Sequence, residues 1–160
     1  MGVQLFLFAL LALILAVFQH AWCAAYWWTP DLGLALVAWA MVDGDAKGMP
    51  DRAFVAGLAR DLAEPGGWGF HLLVYLGLAC ALLPVRDLLF RQRFAAWAMW
   101  SGVAFLVQVG AEIAWSGTIG ERTGWPLVIQ GIGTVLTAVA VGWLFGGLPA
   151  RWRLVPVAGA

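Results

Sequence analysis

The side chains able to do chemistry in this chain are few and unevenly placed. His20, Asp31, Arg60, Asp61, Glu64, His71 and Glu112 each stand inside or beside a long apolar segment, where an ionisable group is costly in lipid and so faces protein or water. Asp61 follows Ala53-Phe-Val-Ala-Gly-Leu-Ala-Arg60 on a short helix. A carboxylate there calls for a cationic or hydrogen-bonding partner, with Arg60, Arg122 and His71 as the choices and Asp31 and Glu112 as possible neighbours from other helices. Gln108 and Glu112 are four residues apart and share one helix face, expected to point into the bundle. Two readings follow. In one, these groups line a polar cleft that opens on one side of an apolar bundle. In the other, Asp31, Glu64 and His71 cap helices or sit among headgroups and Arg60 pairs with a neighbouring carboxylate, since groups within a turn of the interface reach water at little cost.

Other chemistries lack their residues. No H-x-x-x-H or H-E-x-x-H spacing exists for a metal, and no cofactor is expected. Ser101 and Ser116 have no basic neighbour to activate them, and Gly131 and Gly133 lack the rest of a nucleotide fingerprint. Cys23 and Cys80 are far apart and support neither a disulfide framework nor zinc. Trp22 stands where lipoprotein processing needs a small residue, so lipidation at Cys23 is not expected. The chain is read as no enzyme. Nine basic and nine acidic residues leave no basic field for nucleic acid.

The elements that position these residues follow from composition. Hydrophobic residues make up 63% of the 160 and charged ones 11%, against about 25% charged in soluble domains. Too little charge is present to cover a water-soluble globule, so the chain belongs in a bilayer. It is read as a single integral membrane domain, all-α, with about six helices near 3–28, 30–43, 51–64, 68–84, 94–116 and 125–148. The first basic residue is Lys47, which removes the charged start of a signal peptide, so the first segment is expected to be retained as a helix. The first, fourth, fifth and sixth segments read as full spans. The second and third are short: twelve helical residues cover only about 18 Å of a hydrocarbon core of about 30 Å. Such a pair must tilt little, extend into its flanking turns, or be sheltered by the other helices. Gly142-Trp-Leu-Phe-Gly146 is a small-xxx-small pattern that favours a packing contact within the bundle.

Basic residues orient the bundle. With the N-terminus in the cytoplasm, the inner segments hold Lys47, Arg52, Arg86, Arg91, Arg93, Arg151 and Arg153, and the outer ones only Arg60 and Arg122. The positive-inside tendency therefore places both termini in the cytoplasm of a multi-pass protein. Tryptophans are expected at the headgroup boundary, with Trp22, Trp27, Trp28, Trp68, Trp115 and Trp125 at the outer ends of helices and Trp97, Trp100, Trp143 and Trp152 at the inner ends. The ionisable groups from His20 to Glu112 then gather in the outer half.

The order of motifs carries a resemblance. An uncharged first segment ends in Gln19-His20; Thr29-Pro30-Asp31-Leu32 opens a short apolar helix; Gly57-Leu-Ala-Arg-Asp61-Leu and Gly67-Trp-Gly69-Phe-His71-Leu-Leu follow. This series resembles MreD, the rod shape-determining membrane protein family of bacteria, best over residues 19–83. The last two helices fit in length and hydrophobicity only. Pro30, Asp31, Gly57, Asp61, Gly69 and His71 correspond to the family pattern, while Arg60 and the turn at 64–68 depart from it. The resemblance implies a non-catalytic component of the cell-elongation machinery in the bacterial inner membrane. It also implies an MreC-like partner and, through it, MreB-like filaments and wall-synthesis enzymes. The implied fold is similar to the substrate-binding subunit of energy-coupling-factor transporters, with six helices, some short. Pro30, Asp31, Gly57, Asp61, Gly69, His71 and Glu112 are the candidate partner-docking or outer-cleft residues. A second reading is a vitamin-type small-molecule binding subunit of a transporter; a third, an intramembrane enzyme, lacks a nucleophile and base pair.

Overall fold

A computed structural model describes residues 2–23, 26, 29–64, 69–84, 93–116 and 124–146. Among them the chain is all-helical: α1 (Gly2–Cys23), α2 (Leu32–Asp43), α3 (Met49–Ala63), α4 (Phe70–Leu82), α5 (Arg93–Ser116) and α6 (Trp125–Gly146), with a 3-10 turn at Ala46–Gly48 between α2 and α3. The first helix, expected to reach 28, ends at Cys23, and Tyr26 stands outside it; residues 24–25, 27–28 and 147–148 lie outside the described residues. So do Arg86, Arg91, Arg122, Arg151, Arg153, Trp68 and Trp152.

The architecture is organised around α2. Gly33 through Val42 are all buried, and α2 packs against each of the other five helices. A helix apolar on every face has to be enclosed by protein or lipid, and here the other helices enclose it. Of the three ways to accommodate its short length, shelter by its neighbours is the one adopted. Two capping devices set its limits. At the start, the Asp31 carboxylate accepts the Leu34 N–H at 2.8 Å. At the end, the Gly44 N–H returns to the Ala40 carbonyl.

Three helices, α1, α5 and α6, are long and apolar enough to cross a membrane. The fourth segment, read above as a full span, is shorter than expected. α4 has 13 residues, about 20 Å of rise. Gly69, at φ +82°, holds a left-handed conformation that blocks continuation backwards, and Pro84 follows the last turn. Among the described residues the bundle therefore has three long apolar helices and three short ones.

Close approaches fix the packing. A Cβ on Gly57 of α3 would lie 2.4 Å from Leu72 Cα of α4, so only glycine lets these backbones meet. Gly131 faces the Phe105 ring and Gly142 the Trp97 indole, both joining α5 to α6. The Gly142 contact is within the bundle. Trp97 and Trp100, expected at a headgroup boundary, are instead core residues. Trp100 Nε1 donates to Met41 Sδ at 3.2 Å, and Trp39 packs on Phe145 with centroids 5.1 Å apart. Trp22, Trp115, Trp125 and Trp143 are exposed near helix ends. Outward faces are apolar, as at Val3, Phe6 and Ile14 of α1, Leu106 of α5 and Leu136 of α6.

A polar cluster at one end of the bundle as candidate functional site

The helices alternate in direction, so the end of α1, the start of α2, the end of α3, the start of α4, the second half of α5 and the first half of α6 come together towards one end of the bundle. Each contributes a polar side chain there. The cluster has two halves.

The first half is built on Asp31. Besides capping α2, its Oδ2 accepts from Gln108 Nε2 at 3.0 Å, and the same amide nitrogen reaches Glu112 Oε1 at 3.1 Å. The Asp31 N–H donates to Thr134 Oγ1 of α6 at 2.8 Å. Gln19 of α1 serves the next two donors, its Oε1 accepting from the Leu32 N–H at 2.9 Å and the Gly33 N–H at 3.3 Å. The opening N–H groups of a helix have no partner within it, and α1, α6 and Asp31 together supply partners to α2. Pro30 packs against α6, where a Cβ on Gly133 would lie 3.3 Å from its ring.

The second half is built on Asp61. Gly69 caps α4 without a side chain. Asp61, reaching over from α3, supplies the missing acceptors: Oδ1 takes the His71 N–H at 3.0 Å and Oδ2 the Leu72 N–H at 3.0 Å. The His71 ring turns back, Nδ1 lying 2.9 Å from Asp61 Oδ1. An ionised carboxylate only accepts, so Nδ1 carries the proton. On the other side of the ring, Nε2 is 3.7 Å from Glu64 Oε2, and Arg60 Nε is 3.3 Å from the same oxygen. Gly57 lies one helical turn before Asp61, so the close approach it permits brings the carboxylate within reach of α4.

The structure thus gathers Pro30, Asp31, Gly57, Asp61, Gly69, His71 and Glu112 at this end, but in different roles. Asp31 and Asp61 are buried caps, the Asp61 side chain being 7% exposed. Of the partners expected for Asp61, His71 bonds it and Arg60 pairs with Glu64, while Arg122 lies outside the described residues. Gln108 points into the bundle, while Glu112, one turn on, is exposed. His20 faces outward and Gln19 beside it is fully buried. The plainer of the two initial readings therefore describes Asp31 and Arg60.

Sequence reasoning passed over Gln19, Tyr75 and Thr134 because it followed formal charge. The available signal was an uncharged polar residue within an apolar helix, which has the same need for a partner. Tyr75 is fully buried. Its hydroxyl lies by Gly33, and Asp31, Arg60, Glu64 and Glu112 are all within its electrostatic reach.

The chemistry on offer is capping and polar recognition. Ser101 donates to the Trp97 carbonyl at 2.7 Å within its own helix, away from the cluster. Among the described residues no group of three His, Cys, Asp or Glu side chains is placed to hold a metal ion. No family model, curated protein or solved structure matches the chain.

Proposed function

We propose that this chain is a non-catalytic, multi-pass component of a bacterial cell-elongation machinery, an MreD-type protein of the inner membrane with both termini in the cytoplasm. One observation carries the reading. The three separated motifs at 30–31, 57–61 and 69–71 form joints at one end of the bundle, Asp31 starting α2 while Gly57 and Asp61 lock α3 to the start of α4. Residues used in this way build a rigid platform and leave the outer faces to lipid and to a partner's helix. The partner in this reading is MreC-like, with MreB-like filaments and wall-synthesis enzymes reached through it. Orientation rests on Lys47 and Arg52, which lie at the end opposite His71 and belong inside by the positive-inside tendency.

Depletion of the protein should turn rod-shaped cells into spheres, and unchanged width and shape would refute the scaffold role. Affinity purification from mild detergent separates this reading from the second one, a vitamin-type small-molecule binding subunit of a transporter. That alternative is favoured by buried polar atoms without hydrogen-bond partners at the Asp31 end, on Gln19, Tyr75 and Gln108. Co-elution of a wall-synthesis partner supports the scaffold, and co-elution of a transporter ATPase supports the alternative.

A further inference from the structure

We propose that the Asp31 end of the bundle is a binding site for a compact primary ammonium group, carried either by a small free amine or by the ethanolamine headgroup of a lipid. The inference requires neither partner assembly nor transport.

Amide orientation is the first step. Gln108 Nε2 lies between two carboxylate oxygens, of Asp31 and Glu112, which fixes it as the donor and leaves Oε1 as an acceptor. That Oε1 is buried with no hydrogen-bond partner. Gln19 is fixed in the same way by two backbone N–H groups on its Oε1, leaving a buried, unpartnered Nε2. The third unpartnered group is the Tyr75 hydroxyl. A Cβ built on Gly33 would stand 3.2 Å from that hydroxyl and 3.5 Å from Asp31 Oδ1, so both face the first turn of α2. Buried polar atoms are normally satisfied, and these three come from three different helices around one carboxylate.

Their chemistry selects the ligand. A carbonyl oxygen, a phenol oxygen and the carboxylates of Asp31 and Glu112 are chiefly acceptors. The charge agrees: among the described residues Asp31, Asp61, Glu64 and Glu112 share the end with His20, Arg60 and His71, so four carboxylates stand with one permanent cation, Arg60. A primary ammonium offers three N–H donors on a compact head, and an oxygen two carbons away, as in ethanolamine, accepts from Gln19 Nε2. A quaternary ammonium has no N–H to give. Glu112 and Trp115 at this end are exposed, and the Trp115 indole lies 6.0 Å from the Phe70 ring.

The test is thermal unfolding of the full chain, purified in detergent, in ethylammonium, tetramethylammonium or sodium chloride at equal ionic strength. Ethylammonium alone should raise the midpoint, saturably. Tyr75→Phe loses one hydrogen bond to the charged group and should raise the half-saturating concentration about ten-fold. Glu112→Gln, at an exposed position, should weaken the response as well and serves if the tyrosine variant does not fold. Repeating the titration in nanodiscs identifies the source. A lipid source predicts a higher starting midpoint and no added ethylammonium effect in phosphatidylethanolamine, with the effect retained in phosphatidylcholine; a free-amine source predicts the same effect in both. Equal shifts from all three salts, or an unchanged response in both variants, would overturn the proposal and leave water as the occupant.

Discussion

Asp61 holds His71 twice, once by the backbone and once by the ring, both through the same oxygen, Oδ1. With Oδ2 on the Leu72 N–H, one side chain of α3 substitutes for the cap that glycine at position 69 cannot give. The motif spacing has a physical cause: glycine at 57 sets the helix separation and the carboxylate one turn later exploits it.

Replacing Asp61 should therefore act on the fold. Asp61→Ala removes two charge-assisted backbone bonds and the ring contact, and should destabilise the protein by about 2–4 kcal/mol, with Asp61→Asn losing less. Equilibrium unfolding in mixed micelles measures both. An alanine variant as stable as the parent would show that α4 does not depend on this cap.

Gly57→Ala and Gly77→Ala form a matched pair. Both gain helix propensity of up to about 1 kcal/mol. At 57 the new methyl meets the Leu72 backbone, whereas at 77 nothing lies within 4 Å. Overpacking should make the first destabilising by about 1–3 kcal/mol or more, while the second should be neutral or stabilising. Thermal midpoints of the two variants decide it.

Thr134→Val keeps the shape of the side chain and leaves the buried Asp31 N–H without its acceptor. A loss of about 1–3 kcal/mol is expected. Thr137, whose hydroxyl returns to the Gly133 carbonyl of its own helix, should tolerate valine with little change. Parallel unfolding curves compare them directly.

The turn between α2 and α3 should be sensitive to acid. Burial by itself would raise the Asp45 pKa, but the hydrogen bond and charge of Arg52 and the Gly48 N–H outweigh it and hold the carboxyl below its ordinary value of 3.8. Arg52 Nη2 is 2.8 Å away. A carboxyl with a lowered folded-state pKa contributes stability that is complete above its ordinary value and lost as pH falls through the folded one. Amide protection factors in 46–52, with the intrinsic pH dependence of exchange removed, should thus be flat from neutral pH down to about 5 and fall below 3.8, and Asp45→Asn should remove that step. A variant with the parent's acid response would place the titrating group elsewhere.

Much of this was legible in the residues. Shortage of charge put the chain in an apolar environment, and the uninterrupted apolar runs marked α1 and α6 as long helices, although α1 stops at Cys23, short of the expected 28. The Pro30-Asp31-Leu32 start of α2 was legible too, because capping depends on a residue and its own next turn. The length of α4 was misjudged: hydrophobicity continues to Leu83, but a left-handed glycine and a following proline stop the helix. Trp97 and Trp100 were misplaced because an indole at a helix end looks the same in sequence whether it faces lipid or a glycine on the next helix.

Sequence alone determined which segments are apolar, where α2 and α6 begin, and which ionisable groups stand near helix ends, since these depend on neighbouring residues and on the cost of charge in lipid. Tertiary structure decided that α2 lies inside the other five helices, that Asp61 caps α4, and that Gln19, Tyr75, Gln108 and Thr134 surround Asp31. Such pairings join residues up to 103 positions apart, and they follow from how closely backbones approach at glycines such as Gly57, which pattern along one helix does not encode.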